Sequence, residues 1–234
     1  MKQLTLLIAV IVTLSACGGA QYASGTAGVN IPSGDTLILQ SLFNDKSSTI
    51  SEENIQKILD GTYSLPQQLR IAVVRLEPAQ VRRYYWTDEQ YLKTQQSYLD
   101  LFAGKFRQSP RVTRLSVVPD LLVSRTPSFT SIREAAIRMQ ADVVVIYSIT
   151  SDIYSKYKLF SKTDIKAFAT TQLIMLDVRT GLVPFSTIVT RDVLSQKKKE
   201  ELDHTEAASR VQNQAVLLTI DEIGQKITDF LNAK

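Results

Sequence analysis

Apolar residues recur along this chain with two different periods, and the changes of period mark its elements. Leu69 to Leu76 (LRIAVVRL) is short, rich in branched side chains and bounded by Pro66 and Pro78, which predicts a strand. Arg111 to Val118 predicts a second, stopped by Pro119. Asp142 to Ile153 (DVVVIYSITSDI) predicts a third. Its Val143–Ile146 run has no polar face, as expected of a central strand covered on both sides. Lys166 to Val178 and Leu182 to Val193 predict a hairpin joined through Arg179-Thr180-Gly181, with Gly181 suited to a left-handed turn position.

Between these runs the spacing is helical. Ser51 to Leu59 places Ile55, Ile58 and Leu59 on one face, and Thr49 with Glu52 has capping-box spacing. From Thr87 onward, Tyr91, Leu92, Tyr98, Leu99, Phe102 and Phe106 form a stripe that ends before Pro110. A helix over about Thr130–Gln140 turns Ile132, Ala135, Ala136 and Met139 inward. Lys199 to Leu231 predicts a long C-terminal helix with a stripe of Val216, Ile220, Ile223, Ile227 and Phe230. Gly224 inside it costs about 1 kcal/mol relative to Ala and marks a possible kink. Thr36 to Phe43 is apolar but too short to assign. Strands alternate with helices and then run consecutively, which predicts an α/β (α+β) domain. Its single mixed sheet has about five strands with helices packed on it, the last three mainly antiparallel, and a long C-terminal helix closes the chain.

The first residues follow neither rhythm. After Met1-Lys2-Gln3, the thirteen residues Leu4–Ala16 carry no charge. A membrane-spanning helix needs about 20 apolar residues, so this stretch fits the apolar core and small-residue end of a secretory leader. Leu14-Ser15-Ala16-Cys17 then resembles the lipobox of bacterial lipoproteins: an aliphatic residue, two small residues and a Cys. The resemblance implies cleavage between Ala16 and Cys17, a diacylglycerol thioether on Cys17, and palmitate or a similar acyl chain on the new amino group. Gly18 in place of Asp implies sorting to the outer membrane, facing the periplasm. Cys17 is the only cysteine, so an internal disulfide is impossible, and lipidation removes an otherwise reactive thiol. One acyl chain binds a bilayer only marginally, at about 0.8 kcal/mol per buried methylene; several hold firmly. The expected organisation is therefore a signal peptide over 1–16, a lipidated N-terminus and flexible tether over 17–35, and one globular domain over 36–234. The tether composition (GGAQYASGTAGVNIPSGD) gives it a reach of about 20–25 Å.

Charge adds little to this picture. Twenty-seven Lys and Arg against 23 Asp and Glu give +4, with both signs spread along the chain. Such a balance speaks to solubility and weak attraction to anionic surfaces, and an exported chain is not expected to meet nucleic acid. Two short stretches carry a further resemblance. Ala141-Asp142 before the buried strand and Leu176-Asp177-Val178-Arg179-Thr180-Gly181 entering the hairpin are similar to those of CsgG/LpoB-type periplasmic lipoproteins and the N-terminal domain of TolB. That likeness implies non-catalytic roles in envelope assembly, secretion or activation of cell-wall enzymes.

Candidate chemistry is sparse. His204 is the only histidine and lies in an acidic stretch, where an exposed residue on a helix turn is the simplest reading. One His and one lipidated Cys leave no ligand set for a zinc hydrolase and no Cys–His pair, and no G-x-S-x-G, G-x-G-x-x-G or P-loop occurs. No catalytic residue, metal or cofactor is therefore assigned. Adjacent carboxylates at Glu52-Glu53, Asp88-Glu89 and Asp221-Glu222 point to different helix faces. Lys197-Lys198-Lys199 reads as a solvated run. Two clusters mix aromatic rings with positive charge: Arg82-Arg83-Tyr84-Tyr85-Trp86 in a loop, and Tyr154, Tyr157 and Phe160 near a hairpin tip. These residue types are enriched at binding hot spots. The sequence thus points to a membrane-anchored lipoprotein that binds an envelope protein, with oligomeric state open. A lipid-anchored hydrolase with a dispersed site and a subunit of an oligomeric secretion complex are the alternatives.

Overall fold

The computed structural model describes residues 41–43, 45, 50–76, 89–123, 127–156 and 164–233. Its elements in chain order are α1 (Glu52–Leu59), β1 (Leu69–Arg75), α2 (Glu89–Phe106), β2 (Val112–Val117), a 3-10 turn (Asp120–Leu122), α3 (Phe129–Arg138), β3 (Val143–Lys156), β4 (Asp164–Asp177), β5 (Phe185–Gln196) and α4 (His204–Asn232). One mixed sheet runs β2-β1-β3-β4-β5. β1 pairs parallel with both β2 and β3, whereas β3, β4 and β5 pair antiparallel. The predicted fold class is the one observed.

This strand order explains the layers. The chain steps from β1 outward to β2, then reverses past β1 to β3. Parallel crossovers are right-handed almost without exception, so the two connections must run over opposite faces. Tyr98, Phe102 and Phe106 of α2 accordingly join α4 on one face, against Leu69, Ile71, Val73, Val143, Val145 and Tyr147. Phe129, Ile132, Ala135 and Ala136 of α3 cover the other face, against Ala72, Val74, Val144, Ile146 and Leu176. Odd positions of β1 and β3 therefore serve one core and even positions the other, which is why Val143–Ile146 carries no polar face. α4 continues the first layer over β4, where Ile165, Ala167, Ala169, Leu173 and Met175 alternate inward.

Local chemistry fixes the helix ends. Ser128 caps α3 reciprocally with Ser131, a capping box built from two serines. Asp203 accepts the Glu206 N–H at 2.8 Å and caps α4, while the Glu206 carboxylate accepts the Leu202 N–H at 2.7 Å. The C-terminal helix thus begins at His204, later than the predicted Lys199. Of the preceding lysines, Lys198 and Lys199 are exposed as expected, but the Lys197 ammonium donates to the Glu201 carbonyl, and the backbone N–H of Lys198 donates to the Glu201 carboxylate. Arg210 grips that same carboxylate and holds it below the ordinary glutamate range.

Three expectations are corrected. α4 does not break at Gly224; it runs unbroken for 29 residues. A Cβ at Gly224 would lie 2.5 Å from Cγ of Lys105, so this glycine lets α2 and α4 approach closely. Lys105 then reaches Asp221 at 2.5 Å. Leu92, expected on the buried stripe of α2, is half exposed; among the described side chains of α2, burial in the core begins at Tyr98. The apolar face of α1 is likewise unburied, with Leu59 72 % exposed, and its N-cap is Ser51. Thr49 lies outside the described residues.

The α4–β4 contact contains a directional polar pair. The Thr219 hydroxyl donates to the Val216 carbonyl at 2.7 Å, so the Thr171 hydroxyl, 2.6 Å away, must donate to Thr219. Both residues are fully buried. Nearby, the Tyr98 phenol donates to Asn213 at 2.6 Å, and burial pushes its pKa up to about 12.

Two stability measurements test this packing. Gly224→Ala, a change that stabilises most helices, is expected to lower the melting temperature here, with overpacking costing about 1–3 kcal/mol; adding Lys105→Ala should recover the loss. Thr219→Val should cost more than Thr171→Val in denaturant unfolding, because it strands a buried donor at about 1–3 kcal/mol. The reverse substitution leaves Thr219 bonded to Val216.

Candidate functional site

The two short stretches singled out in the sequence meet in space. Antiparallel pairing sets Val143 opposite Asp177, so Asp142 and the Asp177–Gly181 turn lie side by side at one end of the sheet. Both carboxylates are buried, 8 % and 5 % exposed, and a buried carboxylate needs donors. Asp142 takes the Arg70 N–H at 3.1 Å, Arg70 Nε at 2.9 Å and Arg70 Nη2 at 2.8 Å, with Arg179 Nη2 at 3.4 Å. Its backbone completes the joint: Asp142 N–H donates to the Arg70 carbonyl and Val178 N–H to the Asp142 carbonyl. Asp177 takes the Arg179 and Thr180 N–H groups and the Thr180 hydroxyl on one oxygen, and the Tyr63 hydroxyl on the other. This is an Asx-type closure of the β4–β5 connection. Gly181 completes it at φ +76°, where its missing Cβ would sit 3.1 Å from the Phe129 ring. Arg133 then donates to the Val178 and Arg179 carbonyls at 2.6 and 2.7 Å and ties α3 to the turn.

Beside this joint lies a cleft of about 430 Å³ lined by Pro66, Gln68, Arg70, Thr113, Asp142 and Arg179. Its acid is not poised for proton transfer. The hydrogen bonds from Arg70 hold the Asp142 carboxyl at about 2, whereas a general base works best near the operating pH. Hydrogen bonding to Asp142 likewise raises the Arg70 guanidinium, and the Tyr63 phenol is raised by burial and by Asp177. Each shift favours the charge state the joint already uses, so these residues fasten the sheet end. Sequence reasoning did not find Arg70 or Tyr63, since nothing local links either to an acid 72 or 114 residues away. Among the described residues no cluster of three or more metal-ligating side chains occurs.

Among the described residues, no helix covers the face away from α4 at the other end of the sheet. On the β3–β4 side α3 packs with Val144, Ile146, Leu176 and Val178, and the long β3–β4–β5 blade extends past it. Register puts Tyr154, Asp152 and Thr150 beside Lys166, Phe168 and Thr170, and these beside Leu194, Asp192 and Thr190. These nine side chains share the face away from α4. Tyr154, a candidate binding residue from the sequence, stands here 56 % exposed, its ring stacked on Phe168 at 5.8 Å and 17°. Its phenol is raised chiefly by the charge of Asp152. Thr170 and Thr190 share a hydroxyl contact of 2.8 Å, and Lys166 bridges to Asp192 at 3.0 Å. Ile188 and Leu194 on β5 are 66 % and 68 % exposed. Arg82, Arg83, Tyr84, Tyr85, Trp86, Tyr157 and Phe160 lie outside the described residues, as do Ala16 and Cys17. His204, the first residue of α4, is exposed. No described helix is long and apolar enough to cross a membrane.

No protein-family description and no curated protein matches this chain. Several solved structures do resemble it. A hypothetical protein from Chlamydia trachomatis is 13 % identical with a TM-score of 0.39, over 71 % of this chain and 99 % of that one. A minor lipoprotein from Acinetobacter baumannii is 12 % identical with a TM-score of 0.33, over 72 % and 92 %. A lipoprotein from Neisseria meningitidis is 13 % identical with a TM-score of 0.27, over 66 % and 99 %. Bacterial lipoproteins are thus among the structures it is similar to. At these scores the likeness says nothing about chemistry.

The joint predicts an acid-dependent stability term. Asp142 is pulled from 3.8 to about 2 by folding, so its contribution is complete above its unfolded value and is lost as pH falls from about 4 through 2. Asp142→Asn should therefore lower the melting temperature clearly at pH 7, and the gap from the unmodified protein should close by pH 2. A gap that stays constant with pH would contradict the assignment.

Proposed function

We propose that this chain is a lipid-anchored protein of the bacterial cell envelope with a non-catalytic role in assembly or regulation, exercised by binding another protein. The observation that carries the reading is the Leu14-Ser15-Ala16-Cys17 sequence at the end of an uncharged leader. On this reading residues 1–16 are removed, Cys17 carries the lipid, 17–35 form the tether, and 36–234 form the domain held at the outer membrane on its periplasmic side. The CsgG/LpoB/TolB-type likeness of the two short stretches accords with it.

The binding surface on this reading is the open face of β3, β4 and β5. It combines a stacked aromatic pair, a row of threonines and two exposed aliphatic side chains. Such a mixture of rings, hydroxyls and apolar groups suits protein recognition. The Arg82–Trp86 cluster and Tyr157 and Phe160 are proposed as further contacts. The carboxylate held by Arg70 gives the hydrolase alternative no support at that cleft.

Cys17→Ala should abolish fatty-acid labelling and move the protein from membranes to the soluble fraction; continued labelling would overturn the anchor. Tyr154→Ala should cost about 1 kcal/mol or less, since only one exposed ring pair is lost. It should nevertheless reduce recovery of crosslinked envelope protein several-fold in intact cells. A large fall in stability with unchanged crosslinking would remove this face from the binding role.

A further inference from the structure

We infer that the free edge of β5 pairs antiparallel with β5 of a second copy of this chain, about a two-fold axis through Arg191. The inference rests on reading the open β3–β5 face as a protein-binding surface, and it names the partner. Among the described residues β5 is the last strand of the sheet, pairs only with β4, and runs for 12 residues. A strand edge of that length is a template for another strand. A symmetric pair needs the edge to complement itself, residue against residue.

Sequence position decides the register. Ile188 and Leu194 are the large exposed apolar residues of the strand, they lie on the same face, and they are equidistant from Arg191. Two copies centred on Arg191 therefore put each Ile188 opposite the other copy's Leu194. Val189 falls opposite Val193 on the face toward α4, Thr190 opposite Asp192, and Ser186 opposite Gln196. Neighbouring registers fail to pair Ile188 with Leu194. Centring on Thr190 sets Ile188 against Asp192 and Leu194 against Ser186. Centring on Asp192 leaves Ile188 against Gln196. Apolar cross-strand pairs stabilise a sheet, and only the Arg191 centre pairs Ile188 with Leu194.

Charge along the edge is already balanced within each copy. Arg191 pairs with Glu222 of α4, and Asp192 with Lys166 of β4. Two Arg191 side chains at the axis thus bring their own carboxylates with them. Arg191 also donates to the Thr190 carbonyl at 2.8 Å in the single chain, a contact that pairing exchanges for backbone hydrogen bonds. Joining the edges makes one continuous sheet and extends the open face across both copies.

Cysteine crosslinking of the full chain in cells reads this register directly. Differently tagged copies carrying Ile188→Cys and Leu194→Cys, expressed together, should form a disulfide-linked pair. Either variant alone should form it on the order of tenfold less, since each position faces the other and not itself. The unmodified chain, whose Cys17 sulfur is a lipid thioether on this reading, supplies the background. Equal yields in single and mixed samples, or no pair in either, would overturn the inference. In detergent extracts the unmodified protein should have the mass of two chains, and Ile188→Lys, still folded by circular dichroism, the mass of one. One-chain mass for the unmodified protein would also overturn it. A photo-crosslinker at position 188 separates the two failures: capture of a different protein removes the second copy but keeps the binding face, whereas no capture at all removes the binding face as well.

Discussion

β3 is the strand on which the rest of the structure depends. It pairs parallel with β1 over Val143–Tyr147 and antiparallel with β4 along its whole length. It is therefore the seam between the parallel and antiparallel halves of the sheet. The first part is dry on both faces, which requires side chains without polar atoms at four successive positions and a helix on each side. Among the described residues the second part is covered only by α4, and there the sequence returns to alternation. Everything placed on the sheet follows from that change along one strand.

Asp142 sets where the seam begins. Its carboxylate holds the start of β1 through Arg70 while its backbone carbonyl holds the end of β4 through Val178. A carboxylate taken out of water at this point is tolerable because it receives four donors. Asp177 repeats the device one strand away, turning its carboxylate onto the connection into β5 and onto Tyr63. Two acids of the same type thereby close one end of the blade and leave the other free to carry different chemistry.

The strands and their pairing sense were legible because period and proline placement encode them locally. The helix ends were less so. Ser128 and Ser131 keep the usual capping-box spacing but put a serine where Glu or Gln is customary, and nothing in the charged run from Lys199 to Asp203 singled out Asp203 as the cap of α4. Gly224 illustrates a different limit. Propensity alone read it as a weakness in the helix, whereas its cause is the Lys105 side chain more than a hundred residues away. The polar joint was half legible: the Asp142 and Asp177 stretches stood out, but their meeting depends on strand register, and Arg70 and Tyr63 gave no signal. Of the candidate contacts, only Tyr154 falls where its environment is described, and its partner Phe168 became visible through the pairing of β3 with β4.

The one-sided cover of the blade also grades its resistance to opening. Amide groups of Val143–Ile146 lie between two helical layers, so their exchange with solvent deuterium requires the whole domain to come apart. Amides near Tyr154 and Leu194 have helix packing on one side at most, and local fraying suffices to expose them. The distal blade can therefore adjust its shape to an arriving surface at little cost to the body that carries it.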